Sequence, residues 1–177
     1  MVPNVALLDE VLGGYADAIG RDFTGYRNHA QRVATFCIAL SGADGESREK
    51  IALAAALHDV GIWTAGTFDY LEPSVMVATA HLTRVGRSAW TPEVAAMIRH
   101  HHRITRSDER SDWLVEPFRR ADWTDVSLGA LTWGLPRSFV REVMGEWPNA
   151  GFHVTLARLA VGRCASHPLS PLPMVRL

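Results

Sequence analysis

Apolar positions recur along this chain with helical rather than strand period, and no stretch alternates long enough to read as a half-buried strand. Val5, Leu8 and Val11 mark a first helix over residues 4–20, stopped by Gly20. A longer helix is predicted over about 24–42, opened by Thr24. Next comes "REKIALAAALHD", whose positions 51–57 are apolar on every side, the mark of a central helix surrounded by others. The period then fails: "GIWTAGTFDYLEP", residues 61–73, reads as a loop. Pro73 and Pro92 each suit the first turn of a following helix, with Thr91 as the cap of the second. A charged connector (103–112) leads to a helix over about 112–127, and two more follow in "RSFVREVMGEW" and "FHVTLARLAVGRC". The tail "SHPLSPLPMVRL" reads as an extended segment lying on the body. The expectation is an all-α, single-domain helical bundle over residues 1–177, with about five core helices and further peripheral ones.

Helix phase also picks out the residues that do not belong on an apolar face. His29 shares a stripe with Val33, Phe36, Cys37 and Leu40, and His58 shares one with Ile51, Ala54 and Ala55. His81 follows Val77 and Ala78; His101 follows Val94, Met97 and Ile98; Asp122 follows Leu114, Phe118 and Ala121. With Asp59 beside His58, six ionisable groups from five helices aim inward. Burying each without a partner costs about 1–3 kcal/mol, and far more for an isolated charge. One metal centre satisfies all six, since imidazole nitrogens and carboxylates are its natural ligands. In the run "RHHH", His101 is in phase, His102 is the second choice and could face substrate, and His100 reads as a surface residue. His153 and His167 read as structural or exposed.

The same residues carry a resemblance. His29 in "NHAQRVA", the adjacent pair in "LAAALHDVG" and Asp122 in "FRRADW" resemble the H…HD…D signature of the HD superfamily over about residues 24–127, leaving the C-terminal helices and tail (128–177) outside it. "HDVGIWT…TFDYLEPS" is similar to an uncharacterised branch of that family. The resemblance implies an HD-type bundle around the metal site. His29, His58, Asp59 and Asp122 would hold a first ion; His81 and His101, with Asp59 as bridge, would hold a second. It further implies hydrolysis of a small phosphate ester or nucleotide by a metal-activated water attacking phosphorus, with Fe, Mn, Co, Ni or Zn as compatible divalent ions. Asp59 is then catalytic as well as a ligand. Where many HD hydrolases carry lysine or glutamate three residues after the paired aspartate, this chain has Ile62, so Asp69 and His102 are the acid/base candidates and Tyr70 a substrate contact. Some family members with a full ligand set instead hold a di-iron centre that activates O₂ and cleaves a C–H bond, which is the alternative reading.

Composition narrows the partners. The formal charge of −1 and the pI near 6.7 argue against a nucleic-acid polymer and against a polybasic membrane anchor. Seventeen arginines stand against one lysine, which suits bidentate recognition of a phosphorylated small molecule; Arg27, Arg99 and Arg103 are the candidate contacts, with Arg119 also near the ligand helices. Trp63 and Trp123, a few residues after the ligand motifs, read as core. Cys37 and Cys164 lie in apolar helical stretches without CxxC spacing and read as core thiols of a reducing compartment. The N-terminus is acidic where a signal peptide is basic, so the expected location is cytoplasmic. A homo-oligomer is compatible with all of this.

Overall fold

The computed structural model describes residues 5–107, 110–166 and 174, and all regular structure among them is helical. In chain order the helices are α1 (Ala6–Gly13), α2 (Ala16–Ile19), α3 (Phe23–Ser41), α4 (Gly45–Leu57), α5 (Gly61–Thr64), α6 (Leu71–Arg84), α7 (Thr91–His100), α8 (Val115–Val126), α9 (Arg137–Glu146) and α10 (Phe152–Ser166). Short 3₁₀ turns at Gly20–Asp22 and Ser88–Trp90 precede α3 and α7.

The apolar run of α4 has the predicted consequence: every residue from Ile51 to Leu57 is buried. Helices α1, α3 and α7 pack around it, α8 lies along α3, and α6 pairs with α7. Gly42 ends α3 in the left-handed region at φ 66°, its N–H donating to the Ile38 carbonyl at 2.9 Å. The predicted helix over 4–20 is instead two, because the chain turns at Gly14 and Tyr15, where glycines at 13 and 14 weaken helix continuation. The predicted loop at 61–73 contains the single turn of α5, and α6 starts at Leu71, two residues ahead of Pro73. Thr91 is the first residue of α7 rather than its cap; Trp90 holds the cap position.

The close approach of α5 to α6 fixes the geometry after the His58–Asp59 pair. Gly61 donates its N–H to Ser74 Oγ at 2.9 Å, and a Cβ on it would stand 2.5 Å from the Tyr70 carbonyl oxygen and 2.9 Å from Ser74 N. Only glycine fits there. Cys37 is buried as expected, whereas Cys164 is exposed on α10: that helix is wetted over much of its surface, so its apolar composition does not translate into burial. No helix of the described residues is long and apolar enough to cross a membrane. His167 and nearly all of the predicted extended tail lie outside the described residues; Met174 is described, and it packs with Ile62, Tyr70 and Leu71.

Candidate metal centre

Four imidazoles and two carboxylates meet where α3, the ends of α4 and α7, and α8 converge. His58 and Asp59 follow directly on α4, in the bend before α5. The His58 Nδ1–H donates to the Ala55 carbonyl at 2.9 Å, and His101, just past α7, donates its Nδ1–H to the Ile98 carbonyl at 2.7 Å. The His29 Nδ1–H donates to Asp125 Oδ2 at 2.6 Å, and the ring stacks on Phe152 with centroids 4.1 Å apart. A carbonyl or carboxylate can only accept, so Nδ1 carries the proton in all three rings. Their Nε2 atoms are left with bare lone pairs.

Those lone pairs face one another and the two carboxylates. His29 Nε2 and His58 Nε2 are 2.9 Å apart. Asp59 Oδ2 lies 3.4 Å from His58 Nε2 and 3.7 Å from His29 Nε2, while Asp59 Oδ1 lies 3.3 Å from His101 Nε2. Asp122 Oδ1 is 3.5 Å from His29 Nε2, and Asp122 Oδ2 is 3.2 Å from His102 Nδ1. His29, His58, Asp59, His101 and Asp122 are at most 1% exposed. Asp59 Oδ1, both Asp122 oxygens and His101 Nε2 have no hydrogen-bond partner among the described residues. Buried acceptors without donors are costly, and a cation is what such a set lacks. The donor types fit a divalent transition metal: three combinations can each offer an ion three ligand atoms, namely His29–His58–Asp59, His58–His101–Asp122 and Asp59–His101–His102.

The electrostatics agree with ligand roles. Burial pushes the His58 imidazole down to about 4, which keeps it neutral. Burial opposes ionisation of Asp59, but the imidazoles of His58, His101 and His29 around it outweigh that burial and hold the carboxyl far below the usual range. Asp122 is lowered in the same way, burial being outweighed by His102 and the other imidazoles. Both aspartates are therefore anionic, as ligands must be.

The structure does not bring every predicted residue here. His81 lies ten residues into α6, about 15 Å along the helix axis from the end that meets the cluster. It is half-buried and its Nδ1 accepts from Arg84 Nη2 at 2.9 Å. The imidazole that joins His101 is His102. Arg27 is two positions before His29, about 200° around the helix, and forms a bidentate pair with Asp9 at 2.7 and 2.5 Å. Arg99 stands likewise to His101 and pairs with Glu72 at 2.8 Å. Asp69 is exposed, whereas its neighbour Tyr70 turns inward and its hydroxyl lies 2.8 Å from His102 Nε2. Arg103 is half-buried directly after His102, and its carbonyl accepts from Arg119 and Trp123. His100 is half-buried rather than a surface residue, and His153 is structural, its Nε2 3.3 Å from the Asp125 carbonyl.

Three supporting residues escaped the sequence reading. Asp125, one turn after Asp122, orients His29 and also accepts from Arg32, whose Nη2 is 2.9 Å away; the i,i+3 spacing of two acids on one helix was the available signal. Arg32, 2% exposed, also donates to the Trp147 carbonyl at 2.6 Å. The Tyr26 hydroxyl donates to the Ala56 carbonyl at 3.0 Å and accepts from the Asp59 N–H at 3.1 Å, pinning the bend that carries the pair.

A family model for the HD domain matches residues 26–127, more than half of the chain. The chain belongs to the HD-domain family. The matched span begins at Tyr26 and ends just after α8, so it encloses every member of the cluster and leaves α9 and α10 outside. Comparison of this HD domain with curated proteins and with solved structures found no match. HD domains are typically metal-dependent phosphohydrolases, and the His/Asp cluster found here can hold a divalent metal.

Proposed function

We propose that this HD domain is a metal-dependent hydrolase of a small phosphate ester or nucleotide. The observation that carries the reading is the set of facing lone pairs at His29, His58 and His101 Nε2 beside the unpartnered oxygens of Asp59 and Asp122. His29, His58, Asp59 and Asp122 would hold a first ion, and Asp59, His101 and His102 a second. Bound ions would supply a Lewis acid that lowers the pKa of a water and withdraws charge from a phosphoryl oxygen. The protein's own part is to hold these groups rigid and dry. Of the cluster, the His102 side chain is the most exposed, at 14%, so a substrate reaches the centre past it, beside Tyr70 and Arg103.

The test is elemental analysis of protein purified without added metal, followed by phosphate release from an aryl phosphate and a nucleotide panel with Mn²⁺ or Co²⁺. Asp59→Ala is expected to abolish release while keeping the far-ultraviolet helical signal. Full turnover by that variant, or hydrolysis indifferent to chelator, would refute the reading.

Two observations favour a second reading, a di-iron oxygenase. Arg27 and Arg99 are engaged with Asp9 and Glu72, and Ile62 is buried where many HD hydrolases place a charged group. Bound iron with a mixed-valent paramagnetic resonance signal and O₂ uptake would select it.

A further inference from the structure

Three of the four imidazoles in the cluster share one device. Each spends Nδ1 on an acceptor behind it: Asp125 for His29, the Ala55 carbonyl for His58, the Ile98 carbonyl for His101. Each thereby presents a bare Nε2 to the centre. His102 is reversed. Its Nδ1 points inward, 3.2 Å from Asp122 Oδ2, and its Nε2 points away. The atom behind Nε2 is the Tyr70 hydroxyl, at 2.8 Å. That hydroxyl is on a residue only 1% exposed, and it also interacts with the Asp59 carboxylate.

A neutral imidazole carries one ring proton, so the Tyr70 contact decides which nitrogen is bare. With Nε2–H donating to the phenol oxygen, and the phenol proton given to Asp59, His102 Nδ1 faces inward as a lone pair. In the other arrangement the phenol donates to Nε2, and Nδ1–H is spent on Asp122. We propose that Tyr70 is a positioning residue that selects the first arrangement, making His102 Nδ1 the third ligand of a second cation site shared with Asp59 Oδ1 and His101 Nε2. Tyr70 so performs for His102 what backbone carbonyls do for His58 and His101. The inference rests on the metal reading above and deepens it: it supplies the support for His102, the imidazole that stands where His81 was expected.

The experiment uses the full chain, stripped with chelator and titrated calorimetrically with Mn²⁺, with Co²⁺ absorption as a second readout of each ion. Wild type is expected to take two ions. Tyr70→Phe keeps the ring and removes the acceptor; the first affinity is expected to stay unchanged and the second to fall about 10–100-fold, the usual cost of losing an outer partner of a ligand. His102→Ala should retain one ion, and adding Tyr70→Phe to it should change nothing further. Equal affinities for wild type and Tyr70→Phe, equal weakening of both ions, or two ions in His102→Ala would each overturn the role of Tyr70. A wild type that stops at one ion would also overturn it while sparing the metal centre. A wild type that takes none would remove the metal reading itself.

Discussion

Asp125 is the sharpest place to perturb this protein without touching a proposed ligand. Its carboxylate is fully buried between Arg32 and His29, with Arg32 itself only 2% exposed. Burial opposes its ionisation, but the hydrogen bonds from Arg32 and His29 more than compensate and hold the carboxyl well below its ordinary value. Among the described residues, Asp125→Ala leaves the buried guanidinium with only the Trp147 carbonyl as acceptor. Breaking one side of a buried ion pair costs about 3–5 kcal/mol. For a chain of 177 residues, at about 2–4 °C per kcal/mol, the loss in Tm is about 6–20 °C. The measurement is thermal and urea unfolding in chelator, so that bound metal adds nothing to either variant. The double variant Arg32→Met/Asp125→Leu replaces both charges with apolar groups and is expected to recover most of that stability. It leaves His29 Nδ1 without its acceptor, so affinity for the first ion should remain about 10–100-fold weakened. A loss below about 1 kcal/mol in Asp125→Ala, or full metal affinity in the stable double variant, would refute this account of how His29 is held.

Three further outcomes are expected. Gly61→Ala forces a Cβ to within 2.5 Å of the Tyr70 carbonyl; a destabilisation of about 2–3 kcal/mol should follow from the overpacking, and a wild-type urea midpoint would contradict the close approach. Glu116 is partly buried, yet the hydrogen bonds from Arg119, the Ser107 N–H and Arg120 outweigh that burial and bring its carboxyl to about 2, below its ordinary 4.5. Its contribution is therefore present above pH 4.5 and lost as pH falls towards 2, so Glu116→Gln should cost about 1–2 kcal/mol at pH 7, screening by solvent included, with the gap from wild type closing between pH 4.5 and 2; a gap that does not narrow on acidification counts against it. His81→Ala should leave the number and affinity of bound Mn²⁺ unchanged by calorimetry, and loss of an ion would return His81 to the ligand set.

Helix phase placed His29, His58, Asp59, His101 and Asp122 because direction around an axis is written in residue spacing. It misplaced His81 because phase says nothing about level: His81 flanks the α6 stripe of Ala78 and Leu82 but sits at the far end of the helix from the cluster. Tyr70 turned inward from a segment without period, where no spacing rule applies, and Asp69 beside it turned out to solvent. Arg27 and Arg99 were drawn to the ligand helices by proximity in sequence, although two residues along a helix is nearly the opposite face. Asp125 was legible in "ADWTD" as a second acid one turn on from Asp122.

The bonds from His58 to Ala55 and from His101 to Ile98 bind two events into one. A helix that stops inside a protein must find donors for its final carbonyls, and at α4 and α7 the imidazole is that donor. Termination of each helix and exposure of its Nε2 are thus the same act. Aspartate, glutamate or cysteinate could replace a ligating nitrogen, but none carries a donor on the far side of a rigid ring to close the helix behind it. At these two positions histidine is demanded twice over, and fraying of either helix end would disarm the centre before any ligand was lost.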